Sequence, residues 1–146
     1  MHPLYFGGSW TTASLQSALK NVTWKEALVQ KQGLNFIATL VYHINYFVHE
    51  VANVLEVKFL ASKDEFSFKH PKIESQEDWE SFLVVVWKDG KRFSELINEL
   101  SDEVLNHHFT DEKYGSYFRN LLGILEHGYY HLGQISILKK LIRTEV

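Results

Sequence analysis

The sequence predicts an all-α fold, a four-helix bundle occupying residues 1–146 as one domain. Three observations carry this expectation. Apolar residues recur at three- and four-residue steps in four segments. Helix-capping signals punctuate the chain. Strand signals are poor, and the one β-branched run, Val84-Val85-Val86, sits inside a helical pattern. Four amphipathic helices around one core make a bundle. A chain of 146 residues is long enough to bury such a core without disulfides. No repeat or Gly/Ser/Pro linker divides it.

The first helix is expected from about Thr11 or Thr12 to Lys20. Thr12 serves as N-cap, and Leu15, Ala18, Leu19 and Val22 form the apolar stripe. Thr23-x-x-Glu26 reads as a capping box opening a short helix to about Lys31, ended by Gly33. The second long helix is expected from about Leu34 to Lys58, capped by Asn35. Its apolar face holds Ile37, Leu40, Val41, Ile44, Val48, Val51 and Leu55. Phe59 to Glu74, with Pro71 inside, is longer than most helix–helix connections and suits a crossover or a lid. Ser75-x-x-Asp78 opens the third helix at about Gln76, which Gly90 interrupts at a cost of about 1 kcal/mol against Ala. Ser101 to His108 reads as a turn with a short helical piece.

The fourth helix, about Ser116 to Arg143, is apolar almost all round. It is expected either at the centre of the domain or against another subunit. Gly123, Gly128 and Gly133 recur every fifth residue, so they do not share a helix face, and the pattern offers no explanation for them.

Composition narrows the chemistry. There is no cysteine, which excludes disulfides, thiolate metal sites and a cysteine nucleophile. Any metal must be held by His, Asp and Glu. The net charge of −3 gives no reason to expect nucleic acid. No apolar run approaches the roughly 20 residues that span a bilayer, and Met1 to Trp10 lacks a secretory pattern. No membrane role and a cytoplasmic location are therefore expected. Phosphate loops and nucleophile-elbow serines are missing, and no Glu-x-x-His supports a di-iron carboxylate bundle.

Eight histidines remain to be placed. His127 and His131 stand four apart, so both project from one helix face and can reach one metal ion. About 0.4 such pairs arise by chance in a chain with this many histidines, so the spacing also fits two ordinary helix histidines. Their neighbours Ile124, Ile135 and Leu138 place them on a face turned into the bundle, where unpaired imidazoles are costly. His43, at the edge of the apolar arc of the second helix, is the candidate third ligand. It also fits a boundary histidine bonded to a neighbour. His2, His49, His70, His107 and His108 read as solvated or structural, with His70 and His108 in reserve. Glu50 and Glu126 are the nearest acids by sequence.

His43 followed by Glu126-His127-Gly128-Tyr129-Tyr130-His131-Leu132-Gly133-Gln134-Ile135 resembles the DinB/YfiT-like family of metalloenzymes. His-x-x-x-His-x-Gly-Gln-Ile is the specific part. Asp78-Trp79 and Lys113-Tyr114-Gly115-Ser116-Tyr117-Phe118-Arg119-Asn120 extend the likeness over nearly the whole chain. The resemblance implies a mirror variant of the up-and-down four-helix bundle. It implies a divalent metal (nickel, zinc or iron) held by His43, His127 and His131, and it implies homodimers. Characterised relatives include transferases and isomerases that use low-molecular-weight thiols.

Three histidines with an open position suit a catalytic rather than a structural metal. The expected function is a metal-dependent transferase or hydrolase of a small-molecule substrate, in which the metal either delivers hydroxide from a bound water or holds a thiol cosubstrate as thiolate. The alternative is a non-catalytic metal-binding or stress-associated bundle. Gln134, Glu50, Tyr46 and Tyr130 are the candidate catalytic groups. A loop carrying Phe59, Phe66 and Phe68 could cover the site, though such aromatics also fit the capped end of a core.

Overall fold

The computed structural model describes residues 2–58 and 63–144. These form seven helices: α1 (His2–Phe6), α2 (Leu15–Leu19), α3 (Trp24–Ala27), α4 (Ile37–Val57), α5 (Gln76–Asn98), α6 (Asp102–Leu105) and α7 (Tyr117–Thr144). Single 3-10 turns lie at Asp64–Phe66 and Glu112–Tyr114. No strand occurs among the described residues, so the fold is all-α. Three helices, α4, α5 and α7, are long, and no helix is long and apolar enough to cross a membrane.

The first helix is shorter than its periodicity predicts, and its cap differs. Thr12 has φ +55°, a left-handed conformation that does not lead into a helix. Ser14 is extended instead, and its hydroxyl accepts from Ser17 N, while Ser17 Oγ accepts from Ser14 N at 3.0 Å. The Thr23–Glu26 capping box forms as expected, but α3 stops at Ala27, short of Lys31. Asn35 does not cap α4: Phe36 takes the N-cap place, with no side-chain bond. Ser75 does cap α5, accepting from Asp78 N at 3.1 Å.

The central helix is α4, not α7. It packs on both α5 and α7, and it buries Ile37, Val41, Ile44, Val48, Val51 and Val54. By contrast α7 buries mainly Leu132, Ile135 and Leu138 around His131, and leaves Phe118, Leu122, Tyr130, Ile137 and Leu141 exposed. The all-round apolar pattern of α7 thus reflects a second, outward apolar face rather than a central position.

Sequence periodicity does not reveal α1, yet it organises one side of the molecule by packing on α2, α5 and α7. Leu4 and Tyr5 are fully buried. A Cβ on Gly90 would strike the Tyr5 ring, and one on Gly128 would strike Leu4. Gly90 is therefore not a break in α5 but the seat of an aromatic ring. The Tyr5 hydroxyl donates to Asn45 Oδ1 at 3.0 Å, and Asn45 Nδ2 donates to Asp89 Oδ2 at 2.8 Å. His49 Nδ1, from the exposed side of α4, meets the same carboxylate oxygen at 3.2 Å. Burial, then the Asp89 charge, pushes the Tyr5 phenol well above its ordinary pKa.

The far end of α7 is tied down by cations. Lys139 Nζ donates to the carbonyls of Ala18 and Lys20, which end α2. Arg143 donates to Glu26 at 2.7 Å and to the Asn21 carbonyl. These bonds fix the register of α7 against the N-terminal helices, and so the height at which His127 and His131 face α4.

Candidate metal centre

Three histidines meet between α4 and α7. His127 and His131 sit one helical turn apart on α7, and His43 faces them from α4. The Nε2 atoms of His127 and His43 are 3.0 Å apart, and those of His131 and His127 are 3.1 Å apart. All three ligand atoms lie within 4.8 Å of one another. Two nitrogens bound to one ion at about 2.0–2.1 Å with a tetrahedral angle stand roughly 3.3 Å apart. The His43–His127 and His127–His131 pairs are close to that spacing, so the three residues could hold a metal ion.

The surrounding hydrogen bonds determine which nitrogens are free. His43 Nδ1 faces the carbonyl oxygen of Ser67 at 3.3 Å. A carbonyl only accepts, so His43 carries its proton on Nδ1. His131 Nδ1 donates to Gln134 Oε1 at 2.6 Å, with the amide oriented by Nε2 donation to the Tyr130 hydroxyl at 3.3 Å. Both rings therefore turn an unprotonated Nε2 towards His127. A single N–H on His127 Nε2 can point at one of these lone pairs; a cation satisfies all three at once. This is the arrangement by which outer partners orient imidazole ligands.

The environment favours neutral imidazoles at His43 and His127. His43 and His131 are only 7% and 9% exposed, and His127 is half-buried. Burial, reinforced by the neighbouring His131, holds His43 below the usual imidazole pKa. The same causes, with His43 added, lower His127 to about 4. Aromatic rings complete the wall: Phe68 stacks on His43 at 4.0 Å, and Phe47 sets its edge against His43 and His127.

Comparison with protein-family models, with curated proteins and with solved structures finds no match.

The remaining candidates fall into separate places. Gln134 reaches His131 and Tyr130 on its own helix and, among the described residues, makes no bond between helices. Tyr130 is 64% exposed, with its ring against His131 at 4.8 Å. The Tyr46 hydroxyl is engaged elsewhere: it donates to the Lys63 carbonyl and accepts from Lys63 N, each at 3.0 Å, pinning the loop to α4. Glu50 does not join the cluster, and its charge is felt at Tyr42. Glu126 is exposed. His2, His49, His70, His107 and His108 all lie outside the cluster. Of the three loop phenylalanines, Phe68 covers His43, Phe66 carries the Lys69 ammonium at 4.8 Å, and Phe59 lies outside the described residues.

Sequence reasoning pointed to Phe68 as part of a loop over the candidate site but missed Ser67, whose carbonyl faces His43. A backbone carbonyl has no residue signature. The aromatic content of the loop was the available signal for Phe68.

Proposed function

We propose that His43, His127 and His131 hold a divalent ion (nickel, zinc or iron) in a DinB/YfiT-like four-helix bundle of mirror topology. In this reading α4, α5 and α7 are three members, and the α1–α2 segment takes the place of the fourth. The protein is then a metal-dependent transferase or hydrolase of a small molecule, with a low-molecular-weight thiol as cosubstrate.

The observation that carries this reading is the pair of Nδ1–H bonds, His43 to Ser67 and His131 to Gln134, which leaves Nε2 donors converging on one point. The donor set is all imidazole nitrogen, which suits zinc, nickel and iron and disfavours magnesium or calcium. A bound ion supplies Lewis acidity and lowers the pKa of a water or thiol that joins it. The chain supplies the rest. Ser67 and Gln134 fix the two rings, Phe47 and Phe68 shed water from one side, and Tyr130 presents a hydroxyl beside His131. With no cysteine in the chain, a thiol must come with the substrate. A cytoplasmic setting, where thiols stay reduced, suits that chemistry. The exposed stripe of α7, Phe118, Leu122 and Leu141, suits a homodimer face. Sedimentation at several concentrations tests it: a strict monomer removes the dimer.

A non-catalytic metal-binding or stress-associated bundle is the second reading, favoured by the cover that Phe68 gives His43. Purified wild type should bind one metal ion per chain, and His127→Ala should bind none. Unchanged metal content in that variant overturns the site. Cobalt-loaded protein then separates the two readings. Small thiols should perturb the cobalt absorption spectrum if a coordination position is open, and leave it unchanged if the site is sealed. A screen of thiols with electrophiles follows from the first outcome.

A further inference from the structure

Beside the histidine cluster, further along the same α4–α7 groove, lies a cleft of about 240 Å³ walled by Leu34, Leu40, Ile137 and Leu138, with Asn35 and Gln134 as its polar members. Gln134 belongs to both places: its side chain is in the cleft wall and its Oε1 holds His131. A larger cavity of about 620 Å³, around Phe6, Ser14, Lys20 and Trp87, has no member among the described residues that bond or stack on His43, His127 or His131. The cleft is smaller than the roughly 300–1,000 Å³ that encloses a whole drug-sized ligand. Its volume suits part of a molecule, and its walls are mainly aliphatic.

Resting on the metal-site reading above, we infer that the substrate is amphiphilic: a donor head group joins the three-histidine site, and an unbranched apolar tail runs past Gln134 into this cleft. Leu138 lies two turns beyond His131, on the order of 10 Å along α7. A tail of about six to eight carbons spans that distance. Leu34 and Ile137 are 45% and 60% exposed. Burying them under a tail removes apolar surface from water on both partners, which drives the contact. The polar groups of Gln134 are already bonded to His131 and Tyr130. Gln134 therefore offers the tail the aliphatic part of its side chain.

The test uses zinc-loaded full-length protein and a series of alkyl hydroxamates, whose head group binds metal. Acetohydroxamate is compared with hexanohydroxamate and octanohydroxamate by calorimetry. A fully buried methylene strengthens binding about fourfold. The longer probes should therefore bind wild type at least about tenfold more tightly than acetohydroxamate. Leu34→Asn should erase that gain while zinc stoichiometry and acetohydroxamate affinity stay unchanged. Ile137→Asn, on the exposed opposite wall, repeats the test should the first variant fold poorly. Affinity independent of chain length in zinc-loaded wild type overturns the inference and leaves the metal site intact. A chain-length gain that survives in both variants overturns this location for the tail. Failure of wild type to take up zinc overturns the metal-site reading beneath it.

Discussion

The side chain of Leu4 fills the space that a Cβ on Gly128 would need. Gly128 follows His127 directly, so the N-terminal helix packs against the backbone that carries a candidate metal ligand. Replacing Gly128 with Ala improves helix propensity by about 1 kcal/mol. It also forces Leu4, which is fully buried, out of a filled core, and overpacking of this kind costs about 1–3 kcal/mol. The collision should win. Gly128→Ala should lower the urea midpoint, with a net loss of up to about 2 kcal/mol. Gly133 has nothing within reach of an added Cβ. Gly133→Ala should therefore be neutral or stabilise by up to about 1 kcal/mol. Equal effects from the two substitutions would mean that α1 does not dock as described.

His131 takes its orientation from a side chain, while His43 takes its own from a backbone carbonyl. Only the first of these can be removed by substitution. Gln134→Ala should weaken zinc binding by about 10–100-fold, the usual cost of losing an outer partner of a ligating histidine. Gln134→Glu keeps an oxygen acceptor for His131 Nδ1 and should retain most of the affinity. Competition titration with a chromophoric chelator measures both. If alanine and glutamate behave alike, the Gln134 oxygen does not set the His131 tautomer.

Helical periodicity made much of this centre legible in advance. Four-residue spacing places His127 and His131 on one face wherever the helix goes, and the apolar arc of the second helix turns its edge, with His43, towards a partner helix. The loop's aromatic content pointed to Phe68 as cover, but the Ser67 contact was not legible, because the fold and not the local pattern brings that carbonyl to His43. Nor was α1 foreseen, since five residues carry too short a period to read. Its trace lay elsewhere, in Gly90 and Gly128, helix-interior glycines kept free of a Cβ by Tyr5 and Leu4. The caps at Thr12 and Asn35 failed for a different reason. Residue type favours both, but backbone conformation decides, and Ser14 and Phe36 hold the extended geometry that leads into a helix.

Acid should act on the metal-free protein in two separate windows. His127 is held down to about 4 in the fold, against about 6.5 when unfolded. The unfolded chain thus binds the extra proton first, and folding stability falls as pH drops from about 6.5 towards 4. His43, lowered by burial, adds in the same direction. Glu26 behaves differently: its bond to Arg143 holds the carboxyl at about 2, so its stabilising contribution is present above about 4.5 and lost as pH falls towards 2. Urea unfolding across pH should show both declines. His127→Ala should flatten the first and leave the second, while Glu26→Gln should do the reverse. Zinc should oppose the first decline alone, since metal competes with protons for the imidazole.

Asn45 is the buried hinge of a polar chain joining three helices, and its removal separates stability from metal binding. Its carbonyl accepts from Tyr5 of α1, and its amide donates to Asp89 of α5. Asn45 itself is 6% exposed, so few waters can replace it. Asn45→Ala leaves a buried phenol and a buried carboxylate each short of a partner, at about 1–3 kcal/mol for every group left unsatisfied. A total loss of about 2–6 kcal/mol is expected, with α1 loosened first because the Tyr5 hydroxyl loses its partner. The cluster draws on other residues of α4 and α7, and its outer partners Ser67 and Gln134 are untouched. Zinc stoichiometry of the folded variant should remain that of wild type. Hydrogen exchange should show lost protection in α1 and in the turn of α5 around Asp89. Loss of stoichiometric zinc binding in a folded Asn45→Ala protein would show instead that the polar chain and the histidine cluster are one unit.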